Sequence, residues 1–371
     1  MKKRLLLLAL LLTLLPAAAL AGETATSAKA CVVMDAASGR LLLEHNAYAP
    51  LPMASTTKIM TALLALENGQ MDEPVTCTRN AFGVPGTSIY LDLGETLTLE
   101  EMLYGLLLAS GNDAAVAIAE HIGGTVENFC SQMTERAASL GCTNTVFQTP
   151  HGLPKEGHYT TARDLALITR EAMRYTKFRE IVSTQRATIP WQNRSYDRVL
   201  RNKNRLLRTY PGAMGVKTGF TRAAGRCLVS AARRDGMTLI CVVLGCPDWF
   251  DESERLLDLG FEGWEAFTVL HEGETVRMLP VLAGDRTEIP AVLADDLTAV
   301  LPKGKLPNLT IELPESLKSP VFAGEKLGIA SLALAGETLT ESDVVAGKTV
   351  ARNDFSAHLK RLMSAWMIDA Q

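Results

Sequence analysis

Three short polar motifs stand in a fixed order along this chain, each on a different kind of element. Ser55-Thr56-Thr57-Lys58 opens a helical pattern, Ser110-Gly111-Asn112 interrupts one, and Lys217-Thr218-Gly219 lies in a strand-like run. Ser-x-x-Lys alone should arise by chance about once in a chain this long. The three together demand a fold that brings a helix start, an inter-helix connection and a strand to one place. Gathered there, they supply a hydroxyl, an amine one helical turn away, a second hydroxyl with an amide, and a cation beside a glycine.

The surrounding patterns place each motif. Residues 30–34 and 40–44 read as a β-hairpin around the turn 36–39. Over 55–66, Ile59, Leu63 and Leu66 recur at helical spacing, so Ser55 and Lys58 share one side of a helix start. Thr98 and Glu101 form a capping box ahead of an apolar helix over 102–108. Asp113 is expected to cap the next helix, which runs to His121, so the second motif sits on a tight helix-to-helix connection. Further helices are expected over 127–140 and 161–175. After Pro211-Gly212 the pattern turns to strands over 215–221, 227–233 and 238–245, and a helix over 252–267 closes this unit. Short strand-like runs over 274–279, 289–293, 309–313 and 326–334 then suggest a small β-sandwich.

The ends carry different signals. Met1-Lys2-Lys3-Arg4, the apolar run 5–15 and Ala19-Leu20-Ala21 read as a signal peptide cleaved before Gly22, the run being short for a bilayer span. The mature protein is therefore expected outside the cytoplasmic membrane. Over 354–367, Phe355, Leu359, Leu362, Met363, Trp366 and Met367 share one face of an amphipathic helix suited to a membrane surface. The expected division is a signal peptide over 1–21, a catalytic domain over 22–267, a β-sandwich over 268–350 and a membrane-associating tail over 351–371. A net charge of −4 gives a nucleic-acid partner no electrostatic support. Seven scattered cysteines without a C-x-x-C pair read as buried small apolar residues, with room for one bridge, rather than a disulfide framework. The six histidines show no ligand spacing, so neither a metal nor a cofactor is expected.

A serine hydroxyl attacks only when a base takes its proton, and a lysine serves only when its pKa falls. An apolar helix face and the approach of Lys217 would both lower that of Lys58. Ser55 is thus the expected acyl-ester nucleophile and Lys58 its general base. Ser110 can relay a proton to a leaving amine, and Asn112 can orient a substrate amide and Lys58. Lys217 and Thr218 suit a free carboxylate, and Gly219 admits a substrate backbone to the strand edge. The backbone N–H groups of Ser55 and Phe220 would form the oxyanion hole.

These motifs resemble those of the low-molecular-mass penicillin-binding proteins, the D-alanyl-D-alanine carboxypeptidases of serine peptidase family S11. The likeness extends to residues 35–39, Lys58-Ile59-Met60-Thr61, Asn112-Asp113-Ala114, Pro150-His151-Gly152-Leu153, the stretch 158–164 and the stretch 215–221. Met53 and Gly111 depart from the usual proline and alanine. The resemblance implies an α/β (α+β) catalytic domain of β-lactamase/transpeptidase-like fold, with an antiparallel sheet and helices. It also implies stem peptides ending in D-Ala-D-Ala as substrates and β-lactam antibiotics as acylating inhibitors.

His151 and His158 are read as structural, and the Arg-rich stretch 194–208 as a solvated face. Two other functions are weighed. A class A β-lactamase carries an E-x-x-L-N segment between its second and third motifs, and none occurs between Asn112 and Lys217. A non-catalytic cell-wall scaffold would need no base.

Overall fold

The computed structural model describes residues 22–353. The expected signal peptide and amphipathic tail lie outside the described residues. In chain order the first unit contains β1 (Ala30–Asp35), β2 (Leu41–His45), α1 (Lys58–Asn68), α2 (Leu99–Tyr104), α3 (Asn112–Gly123), α4 (Val126–Ser139), α5 (Ala162–Ala172), α6 (Thr176–Ser183), β3 (Arg186–Ile189), β4 (Arg198–Arg201), β5 (Ala213–Thr221), β6 (Gly225–Arg234), β7 (Met237–Leu244) and α7 (Trp249–Gly263). The main sheet has six strands, in the order Gly22–Glu23, β2, β1, β7, β6, β5, and is antiparallel from β2 to β5.

β7 reads as an almost continuous apolar run because both its faces are covered. Ile240, Val242 and Leu244 join the large core under α1, α3 and α5, whereas Leu239, Cys241 and Val243 pack under α7. β1 alternates in the same way, with Val32 and Met34 on one side and Cys31 and Val33 on the other. All seven cysteines are buried free thiols. They act as small core residues, and burial pushes the Cys31 and Cys142 thiols up to about 12.

Several elements differ from the sequence expectation for identifiable reasons. Ser55 lies in a 3₁₀ turn, Ala54–Thr57, and the α-helix proper begins at Lys58. The helix expected over 161–175 ends at Ala172, and α6 follows it. The Thr98 capping box is present, but α2 passes into a π-helical turn, Gly105–Ala109, before the second motif. Asp113 does not cap α3: that position is Gly111, and Asp113 lies buried in the first turn. The Arg-rich stretch is only partly solvated. It includes β4, paired with β3, and Arg198 is buried against the Glu95 carboxylate at 3.0 Å.

The helix expected over 252–267 stops at Gly263, because Trp264 starts a strand. The second unit comprises β8 (Trp264–Leu270), β9 (Thr275–Leu282), β10 (Glu288–Leu293), β11 (Leu297–Pro302), β12 (Asn308–Glu312), β13 (Leu317–Lys318), β14 (Lys326–Leu334) and β15 (Glu337–Ala346). Six strands form one sheet, ordered β12, β14, β15, β10, β9, β13, and β8 pairs with β11 as a second layer. Leu297, Ala299 and Leu301 of β11 share a core with Leu279, Ala291, Ala330 and Leu332 of the larger sheet. The strands β11 and β15 carry no turn-bounded alternation strong enough to stand out in the sequence.

Candidate active site

The first motif is held in place from behind. Ala54, in the left-handed region at φ 49°, turns the chain into the 3₁₀ segment that carries Ser55. Its carbonyl accepts a hydrogen bond from Thr57 Oγ1 at 2.8 Å. Thr57 Oγ1 in turn lies 2.9 Å from Nε2 of the buried His158, whose Nδ1 accepts the Gln148 N–H at 3.0 Å. Burial pushes the His158 pKa down to about 4, so the ring is neutral and, with Nδ1 accepting, its Nε2–H donates to Thr57. Gly152, at φ +90°, lies directly against the Ala54 carbonyl, where no Cβ fits.

Lys58 is fully buried and engages three acceptors. Nζ donates to Ser55 Oγ at 3.1 Å, to Asn112 Oδ1 at 2.8 Å and to the His151 carbonyl at 2.7 Å. Its pKa lies well below the ordinary lysine range, chiefly through burial and then through the Lys217 and Lys203 cations. His151 itself is neutral, pushed down to about 3 by burial and next by Lys58.

The second motif is tied to a wall of the cleft. Ser110 is buried and left-handed at φ 66°, a conformation set by the π turn before it. Asn112 Nδ2 donates to the Pro85 carbonyl at 2.6 Å, and Asn112 N–H to the Thr87 carbonyl at 2.7 Å. The Asp113 carboxylate accepts from Ser88 Oγ and from the N–H groups of Ile89 and Leu91. It therefore orders the 85–91 loop rather than bonding to Ser55 or Lys58.

The third motif faces the first across the cleft. Lys217 is fully buried and donates to the Thr218 carbonyl at 3.0 Å. Burial, and then Lys203, bring its pKa down to about 7. Gly219 does more than open the strand edge to a substrate. A Cβ there would stand 2.9 Å from Ser55 N and 3.1 Å from Thr56 N, so the glycine lets β5 approach the backbone of Ser55 and Thr56. The Phe220 side chain is exposed beside it.

The fold thus joins Ser55, Lys58 and Asn112 by hydrogen bonds, sets Gly219 against Ser55, and places Lys217 within electrostatic reach of Lys58. Ser110 Oγ makes no hydrogen bond among the described residues. Three contributors escape a reading by motif: the His151 carbonyl, Lys203, and the 85–87 loop. The stretch around His151 carries the family likeness without showing that its carbonyl meets Lys58, the stretch around Lys203 reads as a basic face, and only the long-range fold reveals their place. No metal-binding group of side chains occurs among the described residues.

Comparison with known proteins places this geometry. The family model described as D-alanyl-D-alanine carboxypeptidase matches residues 17–248, and that of the penicillin-binding protein 5 C-terminal domain matches 264–352. The D-alanyl-D-alanine carboxypeptidase DacF of Bacillus subtilis is 35% identical over 93% of this chain and 91% of its own length. Penicillin-binding protein 5 from Haemophilus influenzae is 32% identical, with a TM-score of 0.73 over 89% of this chain and 99% of that one. A point mutant of the Streptomyces K15 DD-transpeptidase, 32% identical with a TM-score of 0.61, covers 64% of this chain and 99% of its own.

Proposed function

The chain belongs to the D-alanyl-D-alanine carboxypeptidase family of serine peptidases, and from that premise we propose the following division of roles in removing the terminal D-alanine of peptidoglycan stem peptides. Ser55 Oγ attacks the carbonyl of the penultimate D-alanine while neutral Lys58 takes its proton. The observation that carries this is the 3.1 Å contact between Lys58 Nζ and Ser55 Oγ, made by a lysine whose burial disfavours its charge. Once neutral, Nζ keeps its two N–H donors for Asn112 Oδ1 and the His151 carbonyl and turns its lone pair to the Ser55 hydroxyl.

The terminal carboxylate is received by Lys217 and Thr218 on β5. Charge on the tetrahedral intermediate is met by the N–H groups of Ser55 and Phe220, each such donor contributing about 3–4 kcal/mol. Ser110 relays to the departing amine the proton that Lys58 took from Ser55, and D-alanine leaves. Neutral Lys58 then takes a proton from the water that cleaves the Ser55 ester and returns it to Ser55 Oγ. Asn112 holds Lys58 in line through Oδ1, and its Nδ2 exchanges Pro85 for the substrate peptide group. A β-lactam acylates the same serine. A fast β-lactamase step finds no support, because no carboxylate is among the hydrogen-bond partners of Lys58.

The test uses intact mass and released D-alanine, after incubation with penicillin or with a pentapeptide ending in D-Ala-D-Ala. The expected result is a long-lived adduct on Ser55 and D-alanine release, both absent in Ser55→Ala. Rapid penicillin turnover without D-alanine release would overturn the carboxypeptidase reading, as would an inert wild-type protein.

We also propose that residues 1–21 direct export and that residues 351–371 hold the protein on the outer face of the cytoplasmic membrane. No helix among the described residues is long and apolar enough to cross a membrane, and the tail sequence has an interfacial pattern. With the signal peptide shown to be removed, Leu362→Asp and Trp366→Asp together are expected to move the protein from the membrane to the soluble fraction. Unchanged fractionation would refute the anchor.

A further inference from the structure

A cavity of about 420 Å³, separate from the catalytic cleft, opens where the first unit meets the second. Its floor comes from the β1–β2 turn, the end of α5 and the start of β5, and Ala266, Thr298 and Val300 of the second unit close one side. Four guanidinium groups line it: Arg170, Arg174, Arg179 and Arg233. So much positive charge around one concavity is unusual in a chain whose net charge is −4.

The charges are poorly compensated. Arg174 pairs with Glu171 at 3.3 Å. Among the described residues, Arg170, Arg179 and Arg233 have no carboxylate within 4.0 Å, the distance that defines an ion pair. Arg170 is fixed by the Ala36 and Ala37 carbonyls at 2.8 and 2.6 Å, and Arg179 by those of Met173 and Arg174 at 2.5 and 2.8 Å. Carbonyls hold and partly solvate these groups without cancelling their charge. Arg233 is exposed at the mouth. The one acidic residue in the lining is Asp35, whose Oδ2 is engaged by Ser38 N and Oγ. Three unpaired cations against one carboxylate leave a surplus of two positive charges.

We propose that this cavity is a binding site for a phosphate monoester. Its volume falls in the range of small-molecule sites, about 300–1,000 Å³. A monoester carries about −1.5 to −2 at neutral pH and so matches the surplus, whereas a single carboxylate leaves half of it unmet. Guanidinium groups already held in place lose little freedom when they form paired bonds to phosphate oxygens. The site lies outside the catalytic machinery and does not depend on the proposed carboxypeptidase reaction.

The experiment titrates the full chain with inorganic phosphate at constant ionic strength, by calorimetry and by shift in Tm, with acetate as the monovalent control. Saturable binding of phosphate but not of acetate is expected, weakened about tenfold in Arg233→Gln and in Arg179→Gln. Acylation of Ser55 by penicillin should be unchanged in both variants. Arg179 also caps α5, so the exposed Arg233 supplies the variant whose fold is not in question.

Vesicles of phosphatidylcholine, with and without phosphatidic acid, separate two sources of the group. Retention on phosphatidic acid that free phosphate competes away, and that Arg233→Gln abolishes, identifies a lipid headgroup. Saturable phosphate binding without such retention identifies a soluble ester. Failure of phosphate to saturate, or wild-type affinity in Arg233→Gln, overturns the site.

Discussion

Replacing Lys217 with methionine is expected to make the protein more stable and to remove most of its activity. The side chain is fully buried, makes one hydrogen bond, to the Thr218 carbonyl, and is repelled by Lys203. An apolar residue of similar volume relieves that cost. Comparable replacements of buried charge gain about 1–4 kcal/mol.

The sign follows from protonation. The folded pKa is about 7 against an ordinary 10.5, so between those values the unfolded chain binds more protons and wild-type stability rises with pH. The advantage of the methionine variant should therefore be greatest below pH 7 and vanish as pH approaches 10.5. Activity moves the other way. Loss of a buried charge contact costs about 2–5 kcal/mol, so kcat/KM for a peptide with a free terminal carboxylate should fall by about 30-fold to about 5,000-fold. Melting curves of both proteins across this pH range, with D-alanine release, check both halves. An unchanged or lower Tm at about pH 6, below the folded pKa, would contradict the account of Lys217 as a strained cation.

Gly152→Ala is expected to be the more damaging change, although no reacting atom is touched. The position has φ +90°, which any L side chain resists, and the added Cβ would overlap the Ala54 carbonyl and stand 2.9 Å from Thr57 Oγ1. Neither neighbour is free to yield, because the Ala54 carbonyl and Thr57 Oγ1 belong to the hydrogen-bonded chain that ends on His158. Loss of more than about 4 kcal/mol is expected, in the range reserved for buried collisions. Any folded fraction should acylate about 10²-fold more slowly, since a shift of about 1 Å at the nucleophile has that effect.

Gly157→Ala serves as the control. Its φ is +76°, but the nearest atom to an added Cβ is 3.6 Å away, on the flexible Gln148 side chain. It should cost only the conformational term of about 1–2 kcal/mol. Equal Tm losses in the two variants would show that backbone strain, not the collision with Ala54, sets the effect.

These two residues also mark what can be read from a sequence of this kind. The apolar spacing of Ile59 and Leu63, the Thr98–Glu101 capping box and the runs of β5 to β7 are local signals, and the structure forms helices and strands there. The three motifs single out the side chains proposed to carry chemistry, because serine, lysine and asparagine stand out by type. Gly152 and the His151 carbonyl lie in a stretch that carries the family likeness, yet nothing in their residue types states what they do. Their roles come from backbone atoms, and every residue has those.

Lys203 is hidden for another reason. Its effect on Lys58 and Lys217 acts through space, from a segment whose sequence looks like a solvated basic stretch. β3 and β4 are obscured by the arginines on them, and Arg198 is buried only because Glu95, far earlier in the chain, lies there to receive it. The 3₁₀ turn under Ser55 and the π turn before Ser110 are departures of four and five residues from α-helical geometry. Residue pattern does not resolve them, yet they set where the two hydroxyls stand.

Ala54 and Ser110 are the residues through which those hydroxyls are aimed, and both sit in the left-handed region without being glycine. Neither would choose that conformation in a loose chain; packing from α1, the 149–153 segment and the π turn imposes it. The arrangement around Ser55 is thus a property of the finished molecule and of no earlier stage. If Ser55 is acylated as proposed, capture of a β-lactam is expected only once that tertiary order is complete. An enzyme built this way is expected to stay silent toward its substrate until it has folded.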